Sequence, residues 1–182
     1  MAFDARAVGN LILEVAAKSE YRITNLSLQK LLYFSHGSYL LKTGSPLVSG
    51  YFEAWQFGPV HPTAYGAFKA AGDKPIEFRA SGFDPVTRVP QEFPPIEDTN
   101  AKQIVSLVVQ AYGGLSPGRL VDLSHAANSP WYYVVENAKV RPMLGLRISD
   151  NLIRERFKFH KVSVANQPRS GEPNEEAPFA SD

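Results

Sequence analysis

The side chains best suited to chemistry near neutral pH are four histidines, His36, His61, His125 and His160. Imidazole changes charge close to neutrality and is the commonest metal ligand. A ligand pair on one helix needs its members about three to five residues apart. No two of these histidines are that close, and the chain has no cysteine. Ser35-His36 and Ser124-His125 each set a hydroxyl beside a base, the parts of nucleophilic catalysis. Neighbours on a helix point about 100° apart, however, so neither pair is built for proton transfer. There is no Gly-x-Ser-x-Gly elbow. The glycine-rich run Gly113-Gly114-Leu115-Ser116-Pro117-Gly118 lacks the lysine of a phosphate loop and reads as helix stop, turn and helix start. No two carboxylates have a reason to share a site. The expectation is no catalytic residue, no metal ligand, no cofactor and no enzymatic activity, with histidines that bond a backbone carbonyl or cap a helix.

The elements that would position these residues centre on residues 26–65. Leu28, Leu31, Leu32, Ser35 and Tyr39 fall on one face of a 3.6-residue period. Asn25 or Ser27 suits the start of that helix, and Gly44 its end. Tyr51, Glu53, Trp55 and Phe57 then alternate with Phe52, Ala54 and Gln56, a short strand over 51–57 that Gly58-Pro59 stops as a turn. His61-Pro62-Thr63 opens a helix that ends at Gly72.

Before this stretch, residues 4–18 form a helix capped by Asp4, with Val8, Leu11, Ile12, Val15 and Ala16 as its buried stripe. Gly9 is its weak point, costing about 1 kcal/mol relative to alanine. After it, residues 73–98 hold five prolines and read as a stiffened surface connector, with short strands available at 75–79 and 86–89. A helix from Thr99 carries Ile104, Leu107, Val108 and Ala111. The next starts at Ser116-Pro117, buries Leu120, Leu123 and Ala127, and stops at Pro130. Residues 131–135 are too apolar to sit exposed and pack as a short helix. A last helix spans 149–160, with Leu152, Ile153, Arg156 and Phe157 on one side. The fold class predicted is mainly α: a compact multi-helix domain over 1–162, with a small β element near 51–57 that residues 76–93 can extend.

Residues 163–182, rich in proline, glutamate and serine, cannot bury enough surface to order and read as a disordered acidic tail. Apolar residues make up 44% of the chain and aromatics 12%, enough for a sizeable core. No apolar run approaches the ~20 residues that span a bilayer, and the N-terminus lacks a basic region followed by a hydrophobic one. A cytoplasmic protein without membrane contact is expected. Formal net charge is +1. One arginine against four carboxylates gives the tail −3 and leaves +4 on residues 1–162. That is a weaker basic excess than DNA-binding domains usually concentrate on one face.

Three ordered blocks carry a family resemblance: Leu28-Gln29-Lys30-Leu31-Leu32-Tyr33-Phe34, then Ala54-Trp55-Gln56-Phe57-Gly58-Pro59-Val60, then Leu120 to His125 followed by Pro130-Trp131. Together they make residues 10–159 closely similar to the Panacea, or SocA-like, antitoxin domain. The resemblance implies a phage-associated or toxin–antitoxin protein that neutralises a cognate toxin, encoded next to it, by binding rather than chemistry. A homo- or hetero-oligomer is compatible with that role. The motif residues Leu28, Lys30, Leu31, Tyr33, Trp55, Gly58, Pro59, His125 and Trp131 are expected to be structural. Lys30 sits in an apolar run and reads as a solvated head on a stem lying over the core, or as a partner contact. Trp55 and Phe57 either fill a gap between helices or form an exposed strand edge that accepts a partner. The partner-binding residues expected are Tyr51, Glu53, Phe57 and Tyr65, because binding centres favour aromatic residues inside a polar rim. The alternative function is a DNA-binding regulator of its own operon using the helix pair around 113–116. A hydrolase ranks behind both.

Overall fold

A computed structural model describes residues 2–84, 86–139 and 146–160. The fold is mainly α with a small antiparallel sheet, as the periodicities predict. The tail expected to be disordered lies outside the described residues.

Helix α1 (Ala5–Lys18) is capped by Asp4, whose carboxylate accepts from the Arg6 N–H at 2.8 Å. Its Gly9 is a close-packing position: a Cβ there would meet the Phe68 ring at 2.8 Å. The long helix α2 (Asn25–Thr43) ends, as expected, at Gly44 with φ 72°. Its cap is Thr24, whose hydroxyl accepts from Ser27 N at 3.3 Å, rather than Asn25 or Ser27. Asn25 is instead buried inside the helix and accepts from the Gln29 amide at 3.1 Å. Between Asn25 and Gly37 every residue of α2 is buried, the mark of a central helix covered on all sides.

Strands β1 (Phe52–Trp55) and β2 (Gly58–Val60) form a hairpin, and β5 (Arg147–Ile148) adds to the other edge of β1, giving the order β2-β1-β5. The expected strand is thus shorter, and the turn earlier. Trp55 pairs with Gly58, so Gln56 and Phe57 are the loop and Gly58-Pro59 belongs to the second strand. Gly58 has φ 99°, which a side chain rarely tolerates and which lets the chain reverse tightly. Pro59 can enter β2 because that strand is an edge, where a missing N–H costs no ladder bond.

Helix α3 (Pro62–Phe68) continues as a 3-10 turn to Ala71. The connector is then tied down. Buried Asn10 donates its amide to Ala80 O at 2.8 Å and accepts from Ala80 N at 2.9 Å. The expected strands at 75–79 and 86–89 are not formed. Pairing occurs instead between β3 (Gly82–Phe83) and β4 (Pro90–Gln91), because Asp84 captures the amides of Val86 and Thr87 and makes that stretch the turn. The hairpin exposes Phe83, Val86 and Val89.

Helix α4 (Thr99–Tyr112) buries Ala101, Ile104, Val105, Val108 and Val109 against α1 and α2. Leu107 is 56% exposed and Ala111 is also exposed, so the predicted stripe is rotated. Ala101 begins an i, i+3, i+4, i+7, i+8 set in which the two extra valines displace Leu107 and Ala111. Helix α5 (Pro117–Ser124) starts at the Ser116 cap as expected but stops before Pro130, which opens α6 (Pro130–Ala138) under a Ser129 cap. Helix α7 (Asp150–Arg156), capped by Ser149, runs into a 3-10 turn, Phe157–Phe159. No described helix is long and apolar enough to cross a membrane.

Candidate partner-binding face

The three motif blocks meet beneath the β1–β2 hairpin. α2 drives Lys30 towards β2, and its side chain is fully buried. The expectation of a solvated lysine is therefore wrong. The reason is that α2 has no solvated face at this level, so the ammonium must be satisfied inside, and it donates to Pro59 O at 3.1 Å. Ser124, the last residue of α5, is also fully buried and donates to Val121 O at 2.8 Å. A Cβ on Gly58 would collide with the Ser124 hydroxyl and come within 3.0 Å of the Lys30 Cε. Gly58 is thus required twice, by its φ and by its neighbours. From the other side the Trp131 indole donates to Trp55 O at 2.8 Å, while the His125 ring stacks on Trp131 at 3.6 Å. Leu28, Leu31 and Tyr33 are wholly buried in the same core.

This clasp holds the hairpin with one face out. Along β1, Phe52 and Ala54 are buried while Tyr51, Glu53 and Trp55 are not. Phe52 lies between the rings of His36 and His61, at 5.2 and 5.3 Å. Trp55 is therefore neither plain core nor a free edge. It is half-buried in the outer row, edge-on to Tyr65 at 4.9 Å. Its indole N–H donates to the Glu53 carboxylate at 2.8 Å. Across the ladder Glu53 faces Arg147, whose guanidinium lies 3.8 Å over the Tyr51 ring.

The structure places the expected binding residues as follows. Tyr51 is exposed, and Glu53, Phe57 and Tyr65 are half-buried. Tyr51, Glu53 and Tyr65 join one row through Arg147 and Trp55, while Phe57 stands apart in the hairpin loop. Sequence reading missed Arg147 because β1 and β5 are paired from distant parts of the chain.

His36, His61 and His160 each bond backbone or side-chain groups of the scaffold. His36 accepts from Val48 N at 3.4 Å through Nδ1, so Nε2 carries the proton and donates to Asp150 at 3.0 Å. That bond holds the Asp150 carboxyl below its usual range. His61 donates from Nε2 to Ser49 O at 2.9 Å, and burial lowers its pKa. His160 donates from Nδ1 to Leu123 O at 3.0 Å, and burial lowers it to about 4. Among the described residues no three histidines or carboxylates gather as metal ligands.

Residues 28–132 match the family described as antitoxin SocA-like, Panacea domain. The chain is also similar to Antitoxin SocA of Caulobacter vibrioides (strain NA1000 / CB15N). The two are 45% identical over 175 residues, which cover 96% of this chain and 93% of that protein. No solved structure matches.

Proposed function

The chain belongs to the family of SocA-like antitoxins with a Panacea domain, and we propose that it neutralises a cognate protein toxin by direct, non-covalent binding through the outer face of β1. Family membership supports the antitoxin role. The observation that carries the mechanism is the row Tyr51, Glu53, Trp55 and Tyr65, partly exposed, joined by the Trp55–Tyr65 ring contact and the Trp55–Glu53 hydrogen bond, and lying over the buried Lys30–Gly58–Ser124 clasp. Aromatic residues fixed in place before binding lose little entropy on association, which is how a few residues come to dominate an interface. The action is steric: the face covers a functional surface of the toxin, no bond is made or broken, and the encounter takes place in the cytoplasm with a toxin encoded nearby.

The DNA-binding alternative gains nothing from the helix pair it needs. α5 carries one base, Arg119, and one acid, Asp122, and buries Leu120, Val121, Leu123 and Ser124.

The test is co-expression of the chain with a growth-arresting reading frame cloned from beside its gene, followed by size-exclusion chromatography of the two products. Restored growth with a co-eluting complex is expected. Restored growth without a complex, at unchanged toxin abundance, overturns direct binding.

A further inference from the structure

Glu53 and Arg147 stand directly opposite on neighbouring antiparallel strands, where opposite charges ordinarily meet. They form no ion pair. The Glu53 carboxylate is taken by the Trp55 indole, and the Arg147 guanidinium lies over the Tyr51 ring, 3.8 Å from its centroid. Arg147 is exposed and, among the described residues, no carboxylate or carbonyl accepts from it. The Tyr51 ring covers one side of the group, and the residue stays exposed to solvent. The N–H edge of a guanidinium matches a carboxylate with two parallel hydrogen bonds.

We infer that Arg147 is the specificity-determining contact of this face, and that the segment it takes from the partner is an acidic peptide: a carboxylate on the guanidinium edge, with an apolar neighbour against Tyr51 and Trp55. Charge complementarity argues for this occupant. Among the described residues the cation has no anion of its own, its cross-strand carboxylate is engaged by Trp55, and residues 1–162 carry a net positive charge. Glu53 works the other way: its second oxygen repels a misplaced acid and so sets the register. The inference rests on the proposed binding role and adds the chemistry of the partner segment.

A random-peptide phage library selected on the full chain tests it without knowledge of the toxin. Wild type should enrich Asp or Glu next to an aromatic or aliphatic residue, and Arg147→Glu should lose that enrichment in favour of Lys or Arg. A synthetic copy of the winning peptide should bind Arg147→Ala about tenfold or more weakly, with Arg147→Lys in between. Because Arg147 is exposed, all three variants should melt with wild type. Absence of acidic enrichment, or the same enrichment on Arg147→Glu, overturns the inference. So does displacement of the peptide by a short single-stranded oligonucleotide at equal concentration, which would make the natural anion a phosphate. The outcomes separate cleanly from those of the broader reading. Neutralisation that survives Arg147→Glu sinks this inference and leaves direct binding intact, whereas a toxin that never forms a complex sinks direct binding and leaves the peptide selection to judge Arg147.

Discussion

The phenol of Tyr33, wholly buried in the middle of α2, donates to Nε2 of His160 at 2.9 Å. His160 in turn donates from Nδ1 to Leu123 O, so both ring nitrogens are used and the imidazole is neutral. Phe34 and Phe157 pack edge-on around it at 5.5 and 5.1 Å. One residue thereby ties the end of α7 to α2 and α5.

This tie predicts an acid limit to stability. In the unfolded chain a histidine titrates near 6.5, whereas folded His160 does so at about 4 because it is buried. The unfolded state binds the proton more readily. Stability is therefore complete above about pH 6.5 and falls as pH drops towards 4, by ~3 kcal/mol if His160 acts alone. His61, also lowered by burial, adds to the loss with the same sign. Urea midpoints measured across this range should slope downward, and His160→Asn should flatten the slope. A flat wild-type profile would refute the burial of a neutral imidazole.

The clasp under the hairpin predicts two unusual sensitivities. Lys30→Met keeps the volume but removes the donor to Pro59 O, and a buried acceptor left unsatisfied costs about 1–3 kcal/mol. Gly58→Ala adds a methyl group at φ 99° against the Ser124 hydroxyl, which combines backbone strain of about 1–3 kcal/mol with overpacking of similar size. Combining it with Ser124→Gly should recover the overpacking part and leave the strain. Additive losses in that double-mutant cycle would show that the two positions do not touch.

Core packing of α2 gives a simpler check. Leu31 is fully buried, so Leu31→Ala should lower stability by about 2–5 kcal/mol, read as a shift in denaturation midpoint. An unchanged midpoint would place Leu31 on the wrong face.

Much of this was legible in the chain, and what was not has physical reasons. The caps at Asp4 and Ser116 could be read because capping is local chemistry between a side chain and amides two or three residues on. The helix α2 and its buried Leu28, Leu31 and Leu32 followed from the period, though burial extends all round it. The hairpin was misjudged because Gly58-Pro59 is an equally good strand breaker until its pairing with Trp55 and Ala54 is known. Leu107 fits a helical stripe with Ile104, Val108 and Ala111, but α4 offers a second, overlapping stripe and only tertiary packing chooses. Lys30 read as solvated because nothing local reports that a helix is covered on every side. The Asn10–Ala80 clamp and the Glu53–Arg147 register join residues distant in the chain, and their partners carry no mutual pattern in one sequence.

The binding face supplies the most direct prediction. Tyr51 and Tyr65 stand at the two ends of the row, Tyr51 under Arg147 and Tyr65 against Trp55. Tyr51 is exposed and Tyr65 only half-buried, so Tyr51→Ala with Tyr65→Ala should abolish toxin neutralisation while the melting temperature stays within a few degrees. Trp55→Ala is expected to do both kinds of damage, because its ring belongs to the row while its half-buried indole also holds Glu53. The exposed tip of the β3–β4 hairpin is the control. Val86 is 87% exposed and Val89 59%, an exposed apolar pair that lies outside the clasped face. Val86→Asp with Val89→Asp should leave neutralisation unchanged. Growth rescue in co-expression, read beside thermal melts of each variant, decides between the two surfaces: loss of rescue in the valine pair and retention in the tyrosine pair would move the binding site to the hairpin.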